Sequence, residues 1–199
     1  MINYDCIRDK ENDTENNLFP GIFRCLIIGP SGCGKTNLLL NLILNRKMEG
    51  LTFDKLYIYS KTIHQSKYKF LIELINDIEN ELEVEILKCF ENENEIIPPN
   101  ELDSSLKHLI VFDDCLLDKQ NLIEAYFSQG RNNNVSCFYL CQSYTRIRKQ
   151  IIRDNANVII LFPINNLNMK HVFDNHVFFM LPTFDVFKSL FNNVEKRET

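Results

Sequence analysis

Ile22–Ile28 is a short, nearly continuous apolar run that ends at Gly29. Comparable runs follow at Lys55–Tyr59, His108–Phe112, Val135–Cys141 and Ala156–Phe162. Runs of this length fit strands buried on both faces, as in parallel sheets covered by helices. Between them the apolar period changes. Thr36–Leu44 reads as a helix. From Lys67 to about Phe90, the apolar positions Leu71, Leu74, Ile75, Ile78, Leu82 and Ile86 step by three, one, three, four and four, which predicts one long amphipathic helix with these positions on its apolar face and the acids on the other. Asp118 is placed to cap a helix running through Gly130. A basic helix is expected over about Ile147–Arg153, and shorter helical patterns occupy about 166–174 and 183–193. Five strands alternating with helices predict an α/β domain, an open, mainly parallel sheet with helices on both faces.

Composition sharpens this picture. At 199 residues and 45% hydrophobic, the chain is long and apolar enough for one domain with a core, which excludes wholesale disorder. Residues 1–18 read as a loosely ordered leader and 19–199 as a single domain. No apolar run approaches the roughly 18 residues of a spanning helix, so no membrane partner is expected. Seven cysteines, with no Cys-x-x-Cys pair, suit free thiols in a reducing compartment, and the four histidines lack ligand spacing around them.

The net charge of −5 hides an uneven distribution. Ten of the 27 acids lie between Glu73 and Glu101, with Lys88 the only base there. The rest of the chain holds 17 acids against 21 bases, a surplus of four positive charges. The chain thus reads as a mildly basic body with an acidic helical arm at about 66–101. Net charge is no argument against a nucleic-acid partner.

Gly29-Pro30-Ser31-Gly32-Cys33-Gly34-Lys35-Thr36 fits G-x-x-x-x-G-K-[ST] between an expected strand and an expected helix. Its glycines allow backbone angles and close approaches that a Cβ would block. Loop N–H groups and the helix N-terminus then face phosphates. Lys35 is expected on the β- and γ-phosphates of ATP, and Thr36 on Mg²⁺.

His108-Leu-Ile-Val-Phe-Asp113-Asp114 is a buried strand ending in two carboxylates. Strand C-terminal ends form the ligand crevice in doubly wound folds. Asp113 is expected to hold Mg²⁺, and Asp114 to orient and deprotonate an attacking water. The alternative is that Asp114 only caps the next turn. Gln142, at the tip of the Val135–Cys141 strand, could sense the γ-phosphate if that strand lies between those carrying Lys35 and Asp113. Arg131, just before the same strand, could reach a neighbouring subunit's nucleotide as an arginine finger. Taken singly, Gln142 also fits a polar strand end and Arg131 a surface charge.

With these residues in place, the ordered set GPSGCGKT, LIVFDD and QGRNNNVSCFYLCQS resembles the FtsK–HerA superfamily of DNA-pumping ATPases. Within it the chain looks most like the genome-packaging ATPases of poxvirus-like large DNA viruses, virophages and polinton-type elements. The blocks KLYIYSKTIHQSKYKFL, IRKQIIRDNANVIILF and NMKHVFDNHVF add to the likeness, which spans roughly residues 20–190. The resemblance implies a RecA-like P-loop NTPase core in which the Asp-bearing and Gln-bearing strands lie adjacent to the P-loop strand. It implies a ring of six subunits threading double-stranded DNA, with capsid proteins as further partners. The expected location is the host cytoplasm, at the viral assembly site, or the virion. It carries over Arg131 as a finger acting in trans and Gln142 as the sensor. Two departures stand out: Asp114 occupies a position that is glutamate in many cellular relatives, and Ser143 one that is arginine.

Arg146, Arg148, Lys149 and Arg153 form the densest basic cluster and are candidate phosphate-backbone contacts; Lys61, Lys67 and Lys69 form a second cluster. The leading expectation is an ATP-hydrolysing translocase that packages viral double-stranded DNA. The alternatives are a P-loop nucleoside or nucleotide kinase, a non-packaging pump of the same superfamily, and an ATP-binding scaffold without turnover.

Overall fold

The computed structural model describes residues 18–45, 51–115 and 120–195. Asp118 and nearly all of the expected leader lie outside the described residues. Six strands form one parallel sheet: β1 (Arg24–Ile28), β2 (Lys55–Ser60), β3 (Leu87–Phe90), β4 (His108–Asp113), β5 (Val135–Cys141) and β6 (Val158–Leu161). Their order is β3-β2-β4-β5-β1-β6. The helices are α1 (Lys35–Leu44), α2 (Ser66–Leu82), α3 (Asn121–Gln129), α4 (Asn166–Val172) and α5 (Phe184–Glu195), with short 3₁₀ and π-helical turns between.

The continuous apolar runs are explained by two separate cores. Successive strand side chains point to opposite faces. Cys25 and Ile27 of β1 therefore join Leu39 and Leu40 of α1 and Tyr68, Leu71 and Ile75 of α2 on one face. Leu26 and Ile28 join Ile123, Tyr126 and Phe127 of α3 and Val172 of α4 on the other. Every position of β5 is buried, and β1, β2 and β4 each have one half-buried end residue, so polar alternation is lost.

The structure corrects the sequence reading in three places. The helix expected to reach Phe90 stops at Leu82, and Ile86 leads directly into an edge strand, β3, that pairs with β2. The reason is local: Glu83 adopts a left-handed φ of 54°, which turns the chain out of the helix. The carboxylate of Glu79, one turn back, accepts the N–H groups of Ile86 and, at 2.6 Å, Leu87. Ile86 matched the helical spacing by coincidence. Second, α2 buries Tyr68, Leu71 and Ile75 and leaves Leu74, Ile78 and Leu82 exposed, the last at 60%. Third, β4 is not a direct neighbour of the P-loop strand, as the resemblance implied. β5 lies between β4 and β1, so the Asp113 strand is one place farther away.

This order creates a crevice. After β1 the chain crosses through α1 on one face, whereas the connection from β5 to β6 passes β1 on the other. Oppositely directed crossovers leave the C-terminal ends of β1 and β5 open between them, where open α/β sheets bind ligands.

Candidate nucleotide-binding site

The loop after β1 is held at both ends. Gly29 N–H donates to the carbonyl of Cys141 at 3.1 Å, tying the loop to the tip of β5. A Cβ on Gly29 would lie 2.6 Å from Cβ of Phe162 and 2.7 Å from Sγ of Cys33, so only glycine fits. Gly34 has φ 103°, a conformation that L side chains rarely adopt, and it starts α1 directly. The N-terminus of α1 has no side-chain cap and no acid in its first turn. Its unpaired N–H groups and dipole therefore favour an anion. Lys35 folds back over the loop, and its Nζ donates to the carbonyls of Gly29 and Pro30 at 2.7 and 2.8 Å.

Two sheet tips complete the site. Thr36 Oγ1 donates to Oδ2 of Asp113 at 3.3 Å, and the Tyr68 hydroxyl donates to the same oxygen at 2.6 Å. Burial pushes the Asp113 carboxyl up; the Tyr68 and Thr36 hydrogen bonds work against this, and the Asp114 charge adds to it. Tyr68, fully buried beside that carboxylate, has its phenol driven well above the usual range by burial and remains a donor. Asp114 is exposed and has φ 55°. This left-handed turn breaks the strand alternation directly after Asp113, and both carboxylates line the cleft.

The cleft has a volume of about 340 Å³. Lys35, Thr36, Asp113, Asp114 and Gln142 all line it. Because β5 lies between β1 and β4, the condition set for Gln142 is met. Lys67, assigned from sequence to a basic cluster, also lines the cleft, with Thr62 and Gln65.

Other expected residues lie elsewhere. Arg131 is exposed in the 3₁₀ turn before β5, at the opposite end of the sheet, close enough to Arg24 to repel its charge. Arg146 is exposed. Arg148 pairs with Glu124 at 3.0 Å and bonds Asn121 at 2.8 Å. The Lys149 side chain lies outside the described residues. Arg153 is buried and stacks on the Tyr144 ring, 4.8 Å from its centroid, which removes it from any surface that a DNA backbone could touch. The basic segment reads as one patch in sequence because spacing alone does not reveal which arginine turns inward.

Sequence reasoning missed Tyr68. Its spacing to Leu71 and Ile75 marks it for the buried face of α2, but nothing local tells that its hydroxyl meets a carboxylate 45 positions later.

A parallel α/β sheet with a glycine loop between β1 and α1, a threonine facing a strand-end aspartate, and a polar residue at the tip of the intervening strand define a P-loop NTPase. The chain belongs to the poxvirus A32 protein family, which matches it over residues 11–178. Its fold is similar to that of the genome-packaging NTPase B204 of Sulfolobus turreted icosahedral virus 2. In the AMP complex the TM-score is 0.54 at 11% identity, covering 79% of this chain and 84% of that one. In the AMPPCP complex it is 0.52 at 9% identity, covering 79% and 83%. The DNA-packaging ATPase B204 of Sulfolobus turreted icosahedral virus gives 0.55 at 12% identity, covering 76% and 81%. No curated protein matches this chain by sequence. The likeness read from the motifs holds for family and fold.

Proposed function

We propose that this chain is an ATP-hydrolysing motor that drives double-stranded DNA into a viral capsid at the assembly site. The observation that carries the chemistry is the meeting of Thr36 Oγ1 and Asp113 Oδ2 at 3.3 Å in a cleft also lined by Lys35, Asp114 and Gln142. Family membership and the fold shared with viral packaging NTPases support the biological role.

ATP enters with its phosphates on the loop N–H groups and the α1 N-terminus. Lys35 exchanges the Gly29 and Pro30 carbonyls for the β- and γ-phosphate oxygens. The donor set fits a divalent cation: a half-buried carboxylate, its pKa raised by desolvation, beside a hydroxyl is relieved by positive charge. Mg²⁺ would be held by Thr36 and Asp113 and would neutralise phosphate charge. Asp114 takes a proton from the water that attacks the γ-phosphorus, the bond to the β,γ-bridging oxygen breaks, and inorganic phosphate leaves. Gln142 positions that water. Arg131 acts on the nucleotide of a neighbouring subunit in a ring of six. Arg146 and Arg148, both exposed, would meet a DNA backbone, giving sequence-independent, salt-sensitive binding.

The test is steady-state phosphate release with and without double-stranded DNA. DNA should stimulate hydrolysis. Asp114→Asn should lower the rate by about 10²–10⁴-fold, the usual range for losing a positioned acid–base group, and Lys35→Ala by about 10²–10³-fold, the range for losing a donor to developing charge. A phosphorylated nucleoside without net hydrolysis would establish the kinase reading. Tight ATP binding without turnover on DNA would establish the scaffold reading.

A further inference from the structure

We propose that Tyr68 is a positioning residue that fixes the Asp113 carboxylate for the metal and ties it to the α2 wall of the cleft. The inference rests on the reading of Asp113 as a Mg²⁺ holder.

Tyr68 sits in the first turn of α2, with its side chain fully buried. A phenylalanine would fill the same apolar space. The hydroxyl is instead spent on Oδ2 of Asp113 at 2.6 Å, the oxygen that also accepts from Thr36 at 3.3 Å. Two donors from different elements, α2 and α1, thus hold one carboxylate oxygen. A ligand carboxylate held this way has its rotamer chosen before the cation arrives.

The network continues behind Tyr68. Ser60, 1% exposed, is the last residue of β2 and lies opposite Asp113 in the β2–β4 ladder. Its hydroxyl interacts with Tyr68 and bonds Oγ1 of Thr62 at 3.1 Å, and the Thr62 N–H donates to it at 3.1 Å. Thr62–Ser60–Tyr68–Asp113–Thr36 is therefore one chain of contacts. Thr62, Asp113 and Thr36 line the cleft, and Ser60 and Tyr68, which join Thr62 to Asp113, are buried. Gln65 and Lys67, on the same wall, precede Tyr68 by three and one residues. A shift of that wall on nucleotide binding would be felt at Asp113 through a single hydroxyl.

Tyr68→Phe removes the hydroxyl and keeps the ring. Binding of a fluorescent ATP analogue to the full chain should be titrated with Mg²⁺ and repeated in EDTA. The Mg²⁺ concentration for half-maximal enhancement of binding should rise about 10-fold, within the 10–100-fold range for losing a carboxylate's supporting partner. Affinity in EDTA should match wild type, and KM for ATP at saturating Mg²⁺ should change less than kcat. Ser60→Ala should move the Mg²⁺ midpoint in the same direction by a smaller factor, and it decides the matter should Tyr68→Phe fail to fold. An unchanged Mg²⁺ midpoint in a folded variant overturns the proposal. Asp113→Asn separates the two readings. If it leaves Mg²⁺ dependence intact, Asp113 does not hold the metal; if it abolishes that dependence while Tyr68→Phe does not alter it, Tyr68 only fills the core.

Discussion

Gly29 shows how a single position can be decided twice. The sequence marks it as the first glycine of the loop motif. The structure adds that a methyl group there would be crowded by Phe162, beyond the end of β6, and by Cys33 within the loop. Gly29→Ala therefore needs either the loop or the β6 end to move. Overpacking of this kind costs about 1–3 kcal/mol. The expected result is a lower melting temperature together with ATP affinity reduced at least 10-fold, read by calorimetry on the same sample. Normal affinity with lowered stability would place the strain in β6 rather than in the loop. The same contrast applies to Asp113 and Asp114. The sequence presents them as a pair, but their surroundings differ: Asp113 is half-buried and held by two hydroxyls, whereas Asp114 is exposed on a left-handed turn.

Among the elements, α2 and β3 were the hardest to read. A run of residues with uninterrupted helical spacing becomes a helix, a left-handed turn and an edge strand. Periodicity reports which residues are apolar, not where backbone hydrogen bonds change partners. The latch is Glu79, whose carboxylate accepts two N–H groups at the entrance to β3. Glu79→Ala leaves both donors without that partner and should destabilise the protein by about 1–3 kcal/mol. Faster amide exchange should be confined to Ile86–Phe90. Glu79→Gln, which keeps an acceptor, should fall between the two; exchange rising uniformly across the sheet would rule out a local latch. By contrast, β5 was legible to the residue. It is central, its run is bounded by polar residues on both sides, and both its faces are buried.

At the scale of the whole molecule, the sheet separates two chemistries. The cleft lies at the C-terminal ends of the strands. Arg131 lies before β5, and seven residues rising about 3.3 Å each put roughly 20 Å between it and the Gln142 end. It cannot serve its own cleft, so any role on nucleotide is in trans. Lys35→Ala and Arg131→Ala should each be inactive alone, and mixing them should restore part of the activity, because mixed neighbours rebuild intact sites. ATPase rate against mixing ratio measures this; a flat, inactive line would remove Arg131 from the mechanism. The charge partition also takes spatial form here. Glu73, Asp77, Glu81, Glu83 and Glu85 are exposed on α2 and the turn before β3, at the far edge of the sheet from β6. The acidic segment is therefore packed onto the sheet through α2 and paired with it through β3; those five carboxylates face water, whereas Glu79 turns in to the start of β3.

The sequence alone determined the alternation of strands and helices, the loop from Gly29 to Thr36, and the strand-end placement of Asp113 and Gln142. Each follows from local rules: apolar runs too short for helices, glycines where a Cβ would clash, acids at the end of a buried strand. Strand order, the edge strand β3, the burial of Arg153 and the bond from Tyr68 to Asp113 were decided only by tertiary structure. These depend on contacts between residues far apart along the chain. A spacing rule carries no information about them, because what selects them is the packing of two cores against one sheet.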